Sequence, residues 1–151
     1  MRNHVEERQR WMAVLARASC QELEQAYSDL SDAPPYVWLR PPESGLVLLR
    51  GQAGETGTSF NVGEATMTRC ALKLADGTMG FAFSLGRDQR QAELAALFDA
   101  LLQRGGETVS VALKVISELE RTQSLRRDLK SRKTASTKVD FFAMTQAREP
   151  E

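Results

Sequence analysis

Histidine and cysteine, the side chains that most often build metal and nucleophilic sites, are scarce in this chain of 151 residues. The one histidine is His4, near the N-terminus, which excludes a histidine-dependent catalytic triad within the domain and a histidine-rich zinc site. The two cysteines, Cys20 and Cys70, are too few and too far apart in sequence to surround a metal ion by themselves. We expect both to be buried thiols in a reducing compartment.

Long apolar runs are also missing. No segment approaches the roughly 18 apolar residues of a membrane-spanning helix, and the N-terminal MRNHVEERQRW lacks the apolar stretch of an export signal. Lysine plus arginine and aspartate plus glutamate number 20 each, so net charge provides no general attraction to nucleic acid or membranes. These features predict a cytoplasmic protein, and the length predicts a single domain over residues 1–151.

Charge is nevertheless segregated along the chain. Residues 121–138 carry seven basic groups and one acidic group, and VDFFAM follows at residues 139–144. A solvated tail has no use for two phenylalanines, so they bury either against this chain's own sheet or against a partner. We favour the partner, and interpret residues from about 118 to 151 as a C-terminal docking arm. Its candidate interface residues are Val139, Asp140, Phe141, Phe142 and Met144.

Helix and strand patterns in the first half are typical of an α+β fold. Apolar residues at helical spacing predict a first helix over Glu6–Ala18, and the capping box formed by Ser19 and Glu22 predicts the start of a second. Strands are predicted at Tyr36–Arg40 and Leu46–Arg50. We expect an antiparallel sheet built around a long hairpin and flanked by N-terminal, middle and C-terminal helices.

A glycine-rich connector, residues 51–63, leads into that long hairpin. Asp76-Gly77 between two β-rich runs predicts a two-residue turn. With this turn the large apolar residues share one face: Leu74 opposite Met79, Leu72 opposite Phe81, Cys70 opposite Phe83 and Thr68 opposite Leu85. The other face is a strip of small residues edged by cations: Lys73 opposite Gly80, Ala71 opposite Ala82 and Arg69 opposite Ser84. Either this chain's own helix or loop covers that strip, or another polypeptide or an anionic ligand lies there under Arg69 and Lys73.

A further helix is predicted after the hairpin. Asp88 can cap its start, with Gln91 returning the bond, and Gly105-Gly106 ends it. Arg87 stands where a strand ends and a helix begins, so it is a candidate phosphate contact, with a purely structural turn as the alternative. Three acidic residues of this region show no paired spacing for acid–base chemistry and are expected to face water: Asp88, Glu93 and Asp99.

The last third of the chain predicts a strand and then a helix. In TVSVALKVI, residues 108–116, β-branched residues and leucine alternate with smaller or polar ones, which favours a strand. Ser117 and Glu120 form another capping-box pattern and predict a last helix, roughly Glu118–Thr134. Its apolar stripe is narrow, so most of that helix is expected to face water or a polar partner. The stripe consists of Leu119, Leu125 and Leu129.

Several segments occur together in an order that resembles one protein family. FNVGEATMTRCALKLADGTMGFAFSLGRD is followed by QAELAALFDALLQ, and both stand between an early RQRWMAVLA and the terminal VDFFAM. From about Arg8 to Met144 this combination resembles the PhnG subunit of bacterial carbon–phosphorus lyase. The ordered set is far more specific than any one segment. Histidine is common in the family where this chain has Phe81 and Gln91, so no family histidine can perform acid–base chemistry at those positions here.

The resemblance implies a cytoplasmic multisubunit enzyme that lets bacteria use phosphonates as a source of phosphorus. PhnG associates with PhnH, PhnI and PhnJ in a core assembly with paired copies. Together with PhnH, PhnI and PhnL it supports attack of a phosphonate on the ribose anomeric carbon of ATP. Adenine leaves, and α-D-ribose 1-phosphonate 5-triphosphate forms. The nucleosidase activity belongs to PhnI, so the implied role of this chain is accessory, with no catalytic residue of its own.

Cofactors are implied for the assembly rather than for this chain. ATP with magnesium serves the synthase step, and PhnJ, which later cleaves the carbon–phosphorus bond, uses S-adenosylmethionine and an iron–sulfur cluster. Besides an obligate complex subunit, two other classes stay open. A self-sufficient phosphonate or nucleotide transferase would be active as the purified chain. A nucleic-acid-binding module would use the basic C-terminal helix with strong salt dependence, although no recognition motif accompanies that helix.

Overall fold

The structure is a computed structural model that describes residues 4–30, 33–54 and 56–137, apart from the side chain of Glu107. Within these ranges it contains four helices and three strands. In chain order they are α1 His4–Leu15, α2 Cys20–Ser28, β1 Tyr36–Gln52, β2 Ser59–Leu74, β3 Met79–Leu85, α3 Gln89–Arg104 and α4 Glu107–Ser136. The strands form one antiparallel sheet in the order β1-β2-β3. The predicted α+β class is therefore confirmed.

β1 is longer than the sequence pattern predicts. The two short strands expected at Tyr36–Arg40 and Leu46–Arg50 are parts of one strand of 17 residues. The chain passes through Pro41 and Pro42 without leaving the sheet, because β1 is an edge strand and one side of its backbone needs no ladder partner. Register shifts against β2 on both sides of Arg40 accommodate the irregularity.

β1 and β2 form the longer of the two hairpins. Their connection is residues 53–58, within the stretch that the sequence predicts as a glycine-rich connector. β3 pairs with β2 only as far as Met67, so the outer part of this hairpin has two strands and no third. We call this outer part, residues 45–52 and 59–66, the ribbon.

The β2–β3 hairpin turns at the predicted Asp76-Gly77, but its loop includes Ala75 and has three residues. The N–H of Gly77 donates to the Leu74 carbonyl at 3.0 Å, and the N–H of Leu74 donates to the Thr78 carbonyl at 2.9 Å. Gly77 has φ +92°, a conformation that favours glycine. The longer loop shifts the register by one residue, so the predicted pairs are wrong. The observed pairs are Lys73–Met79, Leu72–Gly80, Ala71–Phe81, Cys70–Ala82, Arg69–Phe83, Thr68–Ser84 and Met67–Leu85.

Close packing of α3 explains this register. A Cβ at Gly80 would lie 2.0 Å from the carbonyl oxygen of Ala96, so the helix backbone lies directly on β3. The small residues of β3 therefore face α3, beside the buried larger residues of β2. The predicted strip is therefore divided between the two faces: α3 covers Gly80, Ala82 and Ser84, whereas Ala71 lies on the opposite face with Arg69 and Lys73.

α3 is the centre of the molecule. It packs on the sheet, and each of the other described helices packs on it. Its residues from Gln91 to Leu102 are buried, with the exception of Glu93. As predicted, Asp88 caps its start, accepting a hydrogen bond from the Gln91 N–H at 2.9 Å, and Gly105 ends it. The side chain of Gln91 does not return the cap bond, because its amide is used inside the core.

α1 and α2 lie close to their predicted positions. α1 ends at Leu15, before the predicted end at Ala18. α2 begins after the predicted capping box: the Glu22 N–H donates to the Ser19 hydroxyl at 3.3 Å, and the Ser19 N–H donates to the Glu22 carboxylate at 2.8 Å. Both bonds join residues three positions apart, which is why the sequence alone reveals them.

α4 is a single helix of 30 residues, so the predicted strand at residues 108–116 and the predicted helix start at Ser117 are both wrong. Ala112, Ile116 and Leu119 are buried at helical spacing where α4 packs on α1 and α3. This burial stabilises the helix and overrides the β preference of the valines. The Ser117 hydroxyl donates to the Lys114 carbonyl within the helix instead of capping a new one. None of the described helices combines the length and apolar composition needed to cross a bilayer.

Gly80→Ala is expected to destabilise the isolated chain, because the added methyl group would collide with the α3 backbone. Overpacking of this kind lowers the free energy of unfolding by roughly 1–3 kcal/mol. Gly63→Ala is the matched control, since Gly63 lies in β2 and its Cβ position has no neighbouring atom within 4 Å. Urea unfolding measures both effects. Equal loss of stability in the two variants would contradict the observed packing of α3 on β3.

Candidate functional site

No described helix packs across one face of the sheet, which we call the open face. Alternation along the strands directs one set of side chains toward α3 and the other set away from it. The exposed large apolar side chains of the second set include Val37 on β1 and Met79, Phe83 and Leu85 on β3. Clustered apolar exposure of this kind is typical of surfaces that bind another protein.

The predicted contacts Arg69 and Lys73 both lie on this open face, four positions apart on β2. Arg69 pairs across the ladder with Phe83, and Lys73 pairs with Met79. Arg69 also donates to the Glu43 carboxylate at 2.7 Å, and Arg40 donates to the same carboxylate oxygen at 2.6 Å. The hydrogen bond from Arg40, followed by that from Arg69, lowers the pKa of Glu43. Two arginines around one glutamate leave a net positive charge beside exposed apolar residues.

Arg87, the third predicted contact, follows the end of β3 and is exposed. The turn before it is tightly bonded: the N–H of Gly86 donates to the Thr66 carbonyl at 2.8 Å, and the Thr68 hydroxyl donates to the Gly86 carbonyl at 2.7 Å. The first turn of α3 already has the Asp88 carboxylate as its cap. The structure therefore supports a structural role for the turn, and Arg87 has no ion-pair partner within the described ranges.

Asp99 contradicts the prediction of a solvated acidic face. Its side chain is 0% exposed and accepts hydrogen bonds from α1, β3 and its own helix. Arg8 Nη2 donates to Oδ2 at 2.8 Å and Trp11 Nε1 donates to Oδ1 at 2.8 Å. The Phe81 N–H and the Gln103 amide donate to Oδ2, each at 3.0 Å. These donors occupy both carboxylate oxygens, so Asp99 is a structural group. An aspartate inside the apolar run AELAALFDALLQ is the sequence signal that points to a buried, paired carboxylate.

Glu93 is also largely buried, again contrary to the prediction. It accepts hydrogen bonds from the Tyr36 hydroxyl and from Arg90, whose Nη1 lies 2.9 Å away. Arg90 in turn donates to Glu24 on α2 at 2.7 Å and lies over the ring of Tyr27. Burial and then the hydrogen bond to Glu93 raise the pKa of Tyr36. This network joins α2 and β1 to α3, and it too is structural.

Comparison with known proteins identifies the family. A family model described as "Phosphonate metabolism protein PhnG" matches residues 6–147. The chain belongs to the PhnG family. A relative from Rhizobium meliloti (strain 1021), named "Alpha-D-ribose 1-methylphosphonate 5-triphosphate synthase subunit PhnG", is 39% identical over 149 residues. That alignment covers 96% of this chain and 92% of the relative. The resemblance drawn from the sequence segments is thus confirmed.

Gln91 and Phe81, the two positions where the resemblance implies histidine, both have structural roles in this PhnG chain. Gln91 is buried, and its amide donates to the carbonyls of Leu15 at 3.1 Å and Ala18 at 3.2 Å. Leu15 is the last residue of α1, and its carbonyl also accepts the Ala18 N–H at 3.3 Å, so Gln91 ties the connection between α1 and α2 to α3. The ring of Phe81 lies beneath the Arg8 guanidinium, 5.8 Å from its carbon to the ring centre. Neither side chain can transfer a proton.

The cysteines of this PhnG chain differ from each other. Cys70 is buried as predicted, and burial raises the pKa of its thiol to about 11. Cys20 is only partly buried, so the prediction for it is wrong. His4 lies at the exposed start of α1. Among the residues that the structure describes, no three His, Cys, Asp or Glu side chains come together in a group that could hold a metal ion.

Asp99→Asn is expected to lower the stability of the isolated PhnG chain by about 3 kcal/mol or more, because it removes the buried charge that pairs with Arg8. It also turns the amide NH2 toward at least two hydrogen-bond donors, whichever oxygen it replaces. Glu120→Gln is the matched control, since Glu120 forms an exposed ion pair with Arg10 that contributes about 0–1 kcal/mol. Urea unfolding followed by circular dichroism compares the two. A loss for Asp99→Asn no greater than for the control would refute the structural role of Asp99.

Proposed function

We propose that this chain is an accessory subunit of an α-D-ribose 1-methylphosphonate 5-triphosphate synthase in organic phosphonate catabolism. The complex forms α-D-ribose 1-phosphonate 5-triphosphate from ATP and a phosphonate and releases adenine. Family membership and the name of the Rhizobium meliloti relative support this assignment. One observation supports the accessory role. The carboxylates of Asp99 and Glu93 are hydrogen-bonded to other parts of this chain, whereas no described helix covers the open face or the ribbon.

In this proposal, the catalytic residues belong to other subunits of the assembly. Asp99 has no acceptor position left for a substrate, and Glu93 is engaged by Tyr36 and Arg90. The partners are PhnH, PhnI and PhnJ, with PhnL as a functional partner, in a cytoplasmic assembly of paired copies. ATP with magnesium, S-adenosylmethionine and the iron–sulfur cluster are bound by those other subunits.

Arg69, Lys73 and Arg87 are contacts to an acidic partner surface or to a phosphate of the substrate. For Arg69 and Lys73 the open face supports the partner alternative. Both lie among exposed apolar side chains, which a protein surface would cover and a small anion would leave in contact with water. Arg69 is already paired with Glu43, so a partner carboxylate would exchange for or extend an existing ion pair.

The C-terminal arm, from about residue 118 onward, docks on a partner. Residues 124–137 of α4 and its end are exposed throughout, and Leu125 and Leu129 lie one turn apart among basic side chains. An amphipathic helix with this arrangement fits an apolar groove with an acidic rim. The predicted interface residues Val139, Asp140, Phe141, Phe142 and Met144 lie outside the described residues.

The accessory role predicts that the purified chain releases no adenine from ATP plus methylphosphonate. Adding it to PhnH, PhnI and PhnL purified without it should restore adenine release, measured by chromatography. A preparation that lacks this chain and is equally active would contradict the accessory role. Turnover by the chain alone, lost on an internal substitution, would instead establish a self-sufficient transferase.

Changes at the proposed contacts should impair the assembly without unfolding the chain. Two variants, Arg69→Ala and Arg87→Ala, remove exposed side chains that contribute only about 0–1 kcal/mol to stability. A third variant lacks residues 139–151, which form the predicted docking tail. Co-purification or adenine release should fall for each, with an unchanged melting temperature of the isolated chain. Arg17→Ala, another exposed arginine, is the control. Wild-type behaviour of all variants would remove these contacts from the proposal, and a lower melting temperature of the truncated chain would indicate that the tail packs on its own domain.

A further inference from the structure

We infer that the ribbon, residues 45–52 and 59–66, inserts into an apolar cleft of a partner subunit and is covered there on both faces. The inference rests on the proposed membership in a synthase assembly and adds the surface and the mode of contact. It concerns a different part of the chain from the C-terminal arm.

Both faces of the ribbon carry uncovered apolar side chains. Leu48 pairs across the ladder with Glu64, and its neighbour Leu49, which pairs with Gly63, points to the other face. Leu48 is 63% exposed and Leu49 is 42% exposed. Other large apolar residues of the ribbon are exposed as well, namely Leu46, Phe60 and Val62. The apolar surface is therefore a property of the whole ribbon.

The ribbon extends past the parts of the fold that could support it. β3 ends at Leu85 opposite Met67, and no described helix buries the apolar side chains beyond that pair. Two strands without a third strand or a covering layer are marginally stable in water. A ribbon with apolar residues on both faces is therefore expected to be held by something outside the described part of the chain.

The available area favours insertion over contact with one face. Eight residues at about 3.3 Å each give a ribbon about 25 Å long, and two strands with their flanks are about 10 Å wide, so one face offers roughly 250 Å². A stable interface buries roughly 800 Å² on each partner. Covering both faces and the free strand edges approaches that area, whereas covering one face falls far short of it.

Charge identifies the kind of surface that receives the ribbon. Its charged residues are Arg50 and Glu64, which balance each other. A nucleic acid or an acidic protein surface would find no net attraction here, and a neutral apolar cleft is the matching chemistry. A second copy of this chain pairing about a two-fold axis would cover one face or one edge and leave the other face in water.

Thiol labelling of single cysteines tests the insertion. Leu48→Cys and Leu49→Cys probe the two faces in a chain that also carries Cys20→Ser, because the remaining Cys70 is buried. Leu113→Cys is the matched control on α4, where the leucine is 50% exposed. Each chain is labelled with a maleimide alone and in the complex formed by co-expression with PhnH, PhnI and PhnJ. Positions 48 and 49 should both lose reactivity in the complex by roughly tenfold or more, as buried thiols do, while position 113 keeps it.

The alternative results are distinct. Protection of only one ribbon position in the complex, or of neither, overturns insertion while the proposed accessory role stands. Protection of both positions in the isolated chain also overturns insertion. The molecular mass in solution then shows what protects them: a second copy if the chain is a dimer, or the chain's own residues 138–151 if it is a monomer. Failure of the wild-type chain to co-purify with the three subunits refutes the proposed assembly itself, and the insertion with it.

Discussion

A carboxylate with no exposure to water, that of Asp99, joins elements that are far apart in the sequence. It accepts hydrogen bonds from Arg8 and Trp11 on α1 and from the backbone of Phe81 on β3. A buried carboxylate without such partners would be strongly unfavourable, so the three elements are stable only in the arrangement that supplies the donors. The position of α1 and the outer edge of β3 depend on this one residue of α3.

The same interactions limit where function can lie. Within the described ranges no buried side-chain nitrogen or oxygen lacks a hydrogen-bond partner. The carboxylates of Asp99 and Glu93 are thus held by the fold, while the open face and the ribbon expose apolar side chains. A chain of the PhnG family built in this way is suited to shape and hold neighbouring subunits.

The edges of the sheet show which surfaces the fold itself protects. Unpaired strand edges invite association with other chains, and proteins usually cover or interrupt them. On β3 the Phe81 N–H is taken by Asp99 and the Met79 carbonyl by Gln103, and on β1 the prolines Pro41 and Pro42 interrupt the edge. The ribbon has no such protection from the described elements, which distinguishes it from the rest of the sheet.

The sequence by itself determined the features that depend on near neighbours. The Ser19–Glu22 capping box, the Asp88 cap and the place of the turn at Asp76-Gly77 each rest on residues at most three positions apart, and the structure contains all three. The candidate cations Arg69 and Lys73 were also correctly expected to share one face, because alternation along a strand is local. The segments that resemble the PhnG family could also be recognised from the sequence alone, because each is a continuous run of residues.

Tertiary structure decided what depends on distant partners. The register of β2 and β3 follows from the approach of α3 to Gly80, and residues 108–116 are helical because Ala112 and Ile116 are buried where α4 packs on α1 and α3. Asp99 is buried because Arg8, 91 positions away, reaches it. Local preferences for strand or helix amount to at most about 1 kcal/mol per residue, whereas burying a large apolar side chain contributes roughly 1.5–3 kcal/mol. Where the two conflict, packing against a distant element prevails, and a pattern read along the chain cannot reveal which element that is.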